Sequence, residues 1–581
     1  MCELWVDARA ARPVGDCLRG HHLRTCHAGD RTRPGERNVF PVDRNRNIPK
    51  TDPAMIFQAN TADVPASIEV DLCIVGAGAA GLTLADELAG TGLKIAILET
   101  GDIGRDKDAQ VFSDTESVEK AVPRNARIRQ FGGSTTAWSG KWLPLMPEDL
   151  NGAAWIERSG WPITPVELAP YYERASRRHK GPAPEDFAQW TAPTDGEAGA
   201  VRLKPASVYW LGKNQLDFGQ TVGKVAANSE TIAVYLNCTA TEIVLTDDHS
   251  GVAALKAQSL RGKTAFRVIA RDYVLASGGI ENARLLLASK SQIEGGVGNA
   301  HDNVGRFYMD HPRGNVAKVV LAPGKTFPDD LGMAIPSNGR DRMDIGSYMA
   351  RRIREKGRLV NAYFVWRPAL DVVPTDDIRK LFSTLVLIRH RPTQMKLYRE
   401  LLRDVFKVPK GLAVRYLWFL LTKKAGLRGP DRTFQINYHI EMAPDPENRV
   451  SLSDNPDPLG HPLAKVRWKA SEAELHSVLE LHDELQALLA ETGAGTLIWM
   501  AGQRPEAADL PYSSASHHMG TTRMGARPET SVVDPECRVH GISNLHIAGS
   551  SVFPTGGFGN PTFTIVALSI RLADRLKEKL L

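Results

Sequence analysis

Cysteine is scarce: six in 581 residues (Cys2, Cys17, Cys26, Cys73, Cys238 and Cys537), with no Cys-x-x-Cys pair. That excludes a zinc ribbon and a disulfide-stapled scaffold. Scattered thiols in so large a chain suit a reducing compartment. No run of about 18 apolar residues occurs, so no membrane-spanning helix is expected. Charge of one sign is also lacking. Lys and Arg number 72 against 67 Asp and Glu, a formal net charge of +5. So small an excess, without any zinc-finger, RRM or basic-zipper pattern, argues against a nucleic-acid partner. No secretory signal is found near the start, and a cytoplasmic location is expected.

Hydrophobic residues make up 42% of the chain, enough for a large core. At roughly 100–200 residues per domain, two to four structural units are expected. Residues 1–54 stand apart, with nine Arg, one Lys, half of all the cysteines and no apolar periodicity. They read as a disordered tail, or as a leader before a true start at Met55. From there the grammar is strand and helix. Residues 68–75 form an apolar strand, 79–90 have helical spacing, and 94–98 form a second strand: a βαβ unit. Strands are expected again at 231–245 and 268–276, followed by a helix at 281–290. Farther on come a strand at 433–442, a helix at 472–491, a strand at 545–548 and a last helix from Pro561.

Gly76-Ala77-Gly78-Ala79-Ala80-Gly81 sits between the first strand and its helix, and Glu99 ends the next strand. This is a dinucleotide fingerprint in full context. Gly76 makes the turn, Gly78 admits a pyrophosphate, and Gly81 lets helix and strand pack. The helix N-terminus at Ala79 and Ala80 favours phosphate charge. Glu99 suits ribose hydroxyls. The fingerprint alone does not choose between NAD and FAD.

A second glycine loop, Gly132-Gly133-Ser134-Thr135-Thr136-Ala137-Trp138-Ser139-Gly140, follows the basic residues Arg124, Arg127 and Arg129. Its bare backbone can press on a flat or anionic ligand, with Trp138 covering a ring. Near the C-terminus lies Ser516-His517-His518-Met519-Gly520-Thr521, and some forty residues later Gly549-Ser550 and Gly559-Asn560-Pro561-Thr562. Alcohol oxidation needs a base near neutral pH, which histidine supplies. An amide such as Asn560 can hold the oxygen. Asn560 and Pro561 also read as the cap and first residue of a helix. No carboxylate or cysteine stands at ligand spacing from His517 and His518, so no metal is expected.

Together these segments resemble the glucose–methanol–choline (GMC) oxidoreductase family, over about Ile68 to Leu580. The likeness is carried by VDLCIVGAGAAGLTLADEL, FGGSTTAWSG, VLASGGIENARLLLAS, NVGRFYMDHPRG, HHMGTTRMG and GGFGNPTFTIVALS. It implies an α/β fold: a Rossmann-like FAD-binding domain beside a substrate domain on a mixed or antiparallel sheet. By position, His517 matches the family's catalytic histidine and Asn560 its partner. This His–Asn form is most similar to the pyranose-oxidising branch. His518 would line the pocket. Ser139 would lie near the reactive flavin edge and Ala240 near the adenine. Gly549, Ser550, Pro561 and Thr562 would meet the rest of the cofactor. Where some members carry a histidine bonded to the flavin, this chain has Ala137, so FAD is expected to be non-covalent.

The implied plan is an FAD-binding domain at 55–310 with inserted loops at 110–200, a substrate domain at 311–505, and a C-terminal active-site segment at 506–581. Residues 389–428 hold eleven Lys and Arg against two acids, a local charge of +9. They read as a packed helical hairpin, a peripheral membrane contact, or a docking face for an electron acceptor or anionic sugar. The expected activity is FAD-dependent oxidation of a CH–OH group, most readily on a sugar or glycoside. The acceptor is oxygen, a quinone or a protein. Alternatives are a non-sugar alcohol, a non-redox lyase on the same fold, a nicotinamide-dependent dehydrogenase, or a non-catalytic module.

Overall fold

The computed structural model describes residues 55–60, 64–187, 202–261, 264–325, 343–368 and 433–581. The expectations for 1–54 and 389–428 fall outside the described residues. The βαβ unit forms where the apolar pattern placed it: strand Ser67–Val75, helix Ala79–Leu88, strand Ile95–Glu99. All five residues of Ile95–Glu99 are buried, because a parallel sheet is covered on both faces and its strands read as apolar runs.

The sheet built on this unit has eight strands. Its order is Ile56–Gln58, Ile232–Leu236, Ile95–Glu99, Ser67–Val75, Ala265–Leu275, Val252–Ser259 and Cys238–Leu245, and Leu545–Ile547 also pairs with Ala265–Leu275. The first five strands and Leu545–Ile547 run parallel, and the remaining two are antiparallel. The single strand expected at 231–245 is therefore two. Asn237 separates them with φ of 59°, and its N–H bonds to the Gly101 carbonyl. Asn tolerates this left-handed geometry better than most residues. The strand Val252–Ser259 was not anticipated.

The second sheet is antiparallel throughout, in the order Gly495–Trp499, Arg313–Leu321, Thr433–Ile440, Ala362–Pro368, Met343–Met349, Leu203–Trp210 and Lys141–Trp142. Two of its strands come from before residue 310, so the chain visits this sheet more than once. The helix Glu472–Thr492, started by a Ser471–Glu474 capping box, packs on one face through Leu475, Val478, Leu485 and Leu489. That face receives alternate strand residues such as Phe364, Ile436 and Tyr438. Their neighbours Tyr363 and His439 point to the other face, as strand alternation requires. A small third sheet joins Thr115–Glu119 to Pro462–Trp468 and Arg449–Pro456.

The last helix is Thr562–Leu580. Pro561, not Asn560, occupies its N-cap position, with φ of −72° and no side-chain cap. The capping reading of Asn560 is thus corrected, and its amide is available for other work. Among the described residues no helix is long and apolar enough to cross a membrane.

Candidate active site

Residues 309–313 run antiparallel to 513–519, bridged at Met309–Met519 and Arg313–Ser513. This short ladder sets Asp310 and His311 against the loop that carries His517. The buried Asp310 carboxylate organises that loop. One oxygen accepts the backbone N–H groups of His311 (2.7 Å), Ala515 (3.1 Å) and His517 (3.1 Å), and the other accepts the Ser514 hydroxyl (2.6 Å). Ser516 is held at φ of 67° in between. A left-handed serine costs energy, and it persists where the surroundings over-determine it.

His517 Nε2 lies 3.0 Å from Asn560 Nδ2, and His517 Nδ1 lies 2.9 Å from His311 Nδ1. His311 Nε2 is 2.8 Å from the Gly557 carbonyl. These contacts fix where the hydrogens sit. A carbonyl only accepts, so His311 Nε2–H donates to Gly557. The Nδ1 of neutral His311 is then an acceptor, and His517 Nδ1–H donates to it. His517 Nε2 is left as a lone pair, which Asn560 N–H approaches. Burial, then the charges of His311, Arg313 and Lys141, push His517 well below the ordinary imidazole range. Burial takes His311 down to about 4. Both rings are neutral near pH 7, and Nε2 is a vacant base.

Two acids lie behind this chain. Glu441 accepts the Gly557 N–H (3.0 Å) and the Asn361 N–H (3.3 Å), while Asn361 donates to Asp149 (2.9 Å). Burial raises both carboxyls, and Asp149 raises Glu441 further. Gly557, at φ of 53°, leaves no room for a Cβ, which would meet an Asp149 oxygen at 2.5 Å.

The fingerprint lies at the carboxyl ends of the parallel strands. A Cβ on Gly81 would meet the Gly76 carbonyl oxygen at 2.0 Å, and one on Gly133 would meet the Gly78 Cα at 2.8 Å. The two glycine loops therefore touch backbone to backbone. Around Gly78, Gly278 and Gly549 the Cβ positions are open, with nothing within 4 Å. The helix Ala79–Leu88 has no side-chain cap and no acid in its first turn, so its leading amides face this open space. Glu99 accepts N–H groups from Ala77 (2.9 Å) and Gly101 (2.8 Å), and burial raises its pKa. Each of its oxygens keeps a second lone pair.

Other expected residues are placed differently. Ser134 is exposed, and its hydroxyl bonds to Ala126 and Ile128 in its own loop. Trp138 is held by the Leu216 carbonyl (2.7 Å) and stands edge-on to Phe218. Ala137 is exposed, and Ser139 and Ala240 are half-buried. The Ser550 hydroxyl is committed to the His518 carbonyl (2.6 Å), while Pro561 and Thr562 open the last helix beside Asn560. His518 makes no bond to His517 or Asn560. Its Nδ1 binds the Tyr308 hydroxyl at 2.7 Å, and burial takes its pKa down to about 3. The basic residues Arg127 and Arg129 serve the interior: both pair with Glu281, at 2.6 and 3.0 Å. Sequence reasoning did not single out Asp310, His311 or Glu441. The polar pair Asp310-His311, next to Tyr308 and Met309, was the available signal.

Comparison with known proteins gives the same frame. The family model described as GMC oxidoreductase matches residues 444–569, which hold His517 and Asn560. The 6'''-hydroxyparomomycin C oxidase of Streptomyces lividus is 24% identical, covering 88% of this chain and 92% of its own. The fructose dehydrogenase large subunit of Gluconobacter japonicus is also 24% identical, covering 88% and 99%. In fold, the crystal structure of pyridoxine 4-oxidase from Mesorbium loti superposes with a TM-score of 0.52 at 15% identity, over 87% of this chain and 98% of that one. The C-terminal stretch thus matches the GMC oxidoreductase family model, and the full-length relatives and the shared fold support the same family for the chain. GMC oxidoreductases generally bind FAD, and the open crevice suits such a group. Bare glycine backbone, uncapped helix amides and a buried carboxylate at the second strand end are what a dinucleotide requires.

Proposed function

We propose that this GMC oxidoreductase oxidises a CH–OH group of a carbohydrate-type substrate to a carbonyl, with His517 as the base. The observation that carries the reading is the Asn560–His517 contact, 3.0 Å from amide nitrogen to Nε2, in a proton arrangement that leaves Nε2 unprotonated. A substrate hydroxyl entering this contact meets both its needs. Its O–H donates to His517 Nε2, and its oxygen accepts from Asn560 Nδ2–H. His517 takes the proton as the C–H bond breaks, and its Nδ1–H stays on His311, which holds the ring in plane. FAD, when bound, supplies the hydride acceptor. The amides at Gly78, Ala79 and Ala80, together with Glu99, Gly133, Gly549 and Thr562, would hold it, non-covalently because Ala137 offers no nucleophile.

The test is anaerobic absorbance of the purified holoenzyme against a panel of sugars, glycosides and simple alcohols, alongside His517→Ala. A positioned general base contributes roughly 100- to 10,000-fold. The reading predicts that one panel member bleaches the flavin band and that the variant keeps the band but bleaches it slower by such a factor. Equal rates in the two proteins would remove His517 as base. Turnover of a substrate without any bleaching would move the chemistry to a lyase.

A further inference from the structure

Arg313, His439, Tyr363 and Tyr348 are successive cross-strand neighbours on the second sheet, so their side chains share one face. That face meets the loop carrying Asn560: Tyr363 stacks on His439 at 5.1 Å, and Phe558 lies 4.5 Å from Tyr363 and 5.4 Å from Tyr348. His439 is 7% exposed, and neither of its ring nitrogens has a hydrogen-bond partner among the described residues. Arg313 is half-buried. Its guanidinium has no ion pair or hydrogen bond among the described residues, although its backbone is tied to Ser513. Its charge reaches both His439 and His517, as does that of the buried Lys141. A partly dehydrated guanidinium without a counter-ion, beside an imidazole without a partner, is an incomplete arrangement.

We propose that Arg313 and His439 form a subsite for an oxyanion carried by the substrate, a carboxylate or a phosphate ester, at the far end from the hydroxyl oxidised at His517. This rests on the alcohol-oxidising reading above. Arg313 supplies paired N–H donors suited to a planar or tetrahedral oxyanion, and His439 supplies a third through its ring N–H. The ligand anion also acts on catalysis. Arg313 and Lys141 oppose a positive His517, so an anion seated on Arg313 offsets part of that field where the imidazolium must form. Substrates bearing the anion therefore meet a stronger base. The acids nearby do not already fill this role, since Glu441 and Asp149 are committed to Gly557, Asn361 and Met146.

The test uses holoenzyme and matched sets at constant ionic strength: glucose, glucuronate and glucose 6-phosphate; glycerol, glycerate and glycerol 3-phosphate. Loss of one charge-assisted hydrogen bond is worth roughly tenfold or more. The expected result is that one anionic member of a set bleaches the flavin with kcat/KM roughly tenfold above its neutral counterpart. Arg313→Gln should lower that ratio about tenfold, and Arg313→Lys should recover part of it. The winning anion distinguishes carboxylate from phosphate. Neutral members bleaching as fast as the anions, or Arg313→Gln slowing both alike, overturns the subsite and leaves the alcohol reading standing. If nothing in the panel bleaches, inorganic phosphate and acetate are titrated against the oxidised flavin spectrum. A saturable perturbation lost in Arg313→Gln supports the subsite without the alcohol reading, and no perturbation in wild type overturns it.

Discussion

His311 Nδ1 and His517 Nδ1 are 2.9 Å apart, and only one of them carries the hydrogen between them. Because His311 gives its other N–H to Gly557, the hydrogen belongs to His517, whose Nε2 is thereby kept bare toward Asn560. Removing His311 removes that instruction. In His311→Ala the His517 ring can place its hydrogen on Nε2, which is useless as a base. The expected loss is roughly tenfold in kcat with KM little changed, the scale of one buried hydrogen bond. His311→Gln, which still offers an acceptor, should recover part of it. His311 also helps hold His517 below the ordinary imidazole range, so the acid limb of the pH–rate profile should move to higher pH in the alanine variant. A limb that stays in place would make His311 a packing residue only.

Gly78 separates cofactor binding from folding. Its backbone is extended, at φ of −91°, which alanine adopts readily, and an added Cβ meets no protein atom within 4 Å. Gly78→Ala should fold with the thermal stability of wild-type apoprotein. Its methyl group would occupy the open crevice, so FAD affinity should fall at least about tenfold. Flavin content after gel filtration and the Tm of both apoproteins measure the two quantities independently. A variant with normal flavin content would show that the crevice at Gly78 is not where the cofactor lies.

The parts of this molecule legible in the sequence are those in which chemistry and chain order coincide. The turn Gly76–Gly81 lies between its own strand and helix, so periodicity and glycine spacing revealed it together. Asn560 and His517 stood out because the glycines around them serve no helix or strand. His311 did not, because its meaning depends on a partner about two hundred residues away. The ladder between 309–313 and 513–519 is a tertiary event, and the polar pair Asp310-His311, though visible, does not say what it will face. The break at Asn237 was hidden for a related reason: a single left-handed residue inside the fifteen-residue strand-like pattern of 231–245 leaves the pattern unchanged. The role of Arg127 and Arg129 was hidden in the same way: their acid, Glu281, arrives from another helix.

Glu441 predicts a pH dependence of stability. Its pKa is raised from the ordinary value to about 8 by burial and by Asp149. Above about pH 4.5 the unfolded chain has lost this proton while the folded chain keeps it. The contribution is thus fully present in acid and declines as pH rises, until the folded group also ionises near pH 8. Tm should therefore fall between pH 5 and 8, and Glu441→Gln, which cannot titrate, should show a flatter slope. Since Glu441 holds the Gly557 N–H, the same rise in pH should act on the loop that anchors His311. Equal slopes in the two proteins would show that Glu441 does not carry the effect.

Glu281 is the centre of a buried ionic cluster, paired with Arg127 at 2.6 Å, Arg129 at 3.0 Å and Arg284 at 3.0 Å. Arg284 also reaches Asp457 at 3.1 Å. Although burial alone would raise the Glu281 carboxyl, the three guanidiniums pull it far below the ordinary carboxylate range. Stability from this group is present above the usual carboxylate pKa and is lost only in strong acid. Glu281→Gln leaves two of its arginines, Arg127 and Arg129, buried without another ion-pair partner among the described residues. Breaking such a pair by removing one partner costs about 3–5 kcal/mol, which should appear as a lower urea midpoint with an unchanged slope. Because Arg127 and Arg129 lie immediately before the second glycine loop, the variant should also lose flavin, unlike an equally destabilising cavity mutation in the distant helix Glu472–Thr492, such as Leu485→Ala. Equal flavin retention in the two variants at matched stability would show that the cluster braces the core and not the loop.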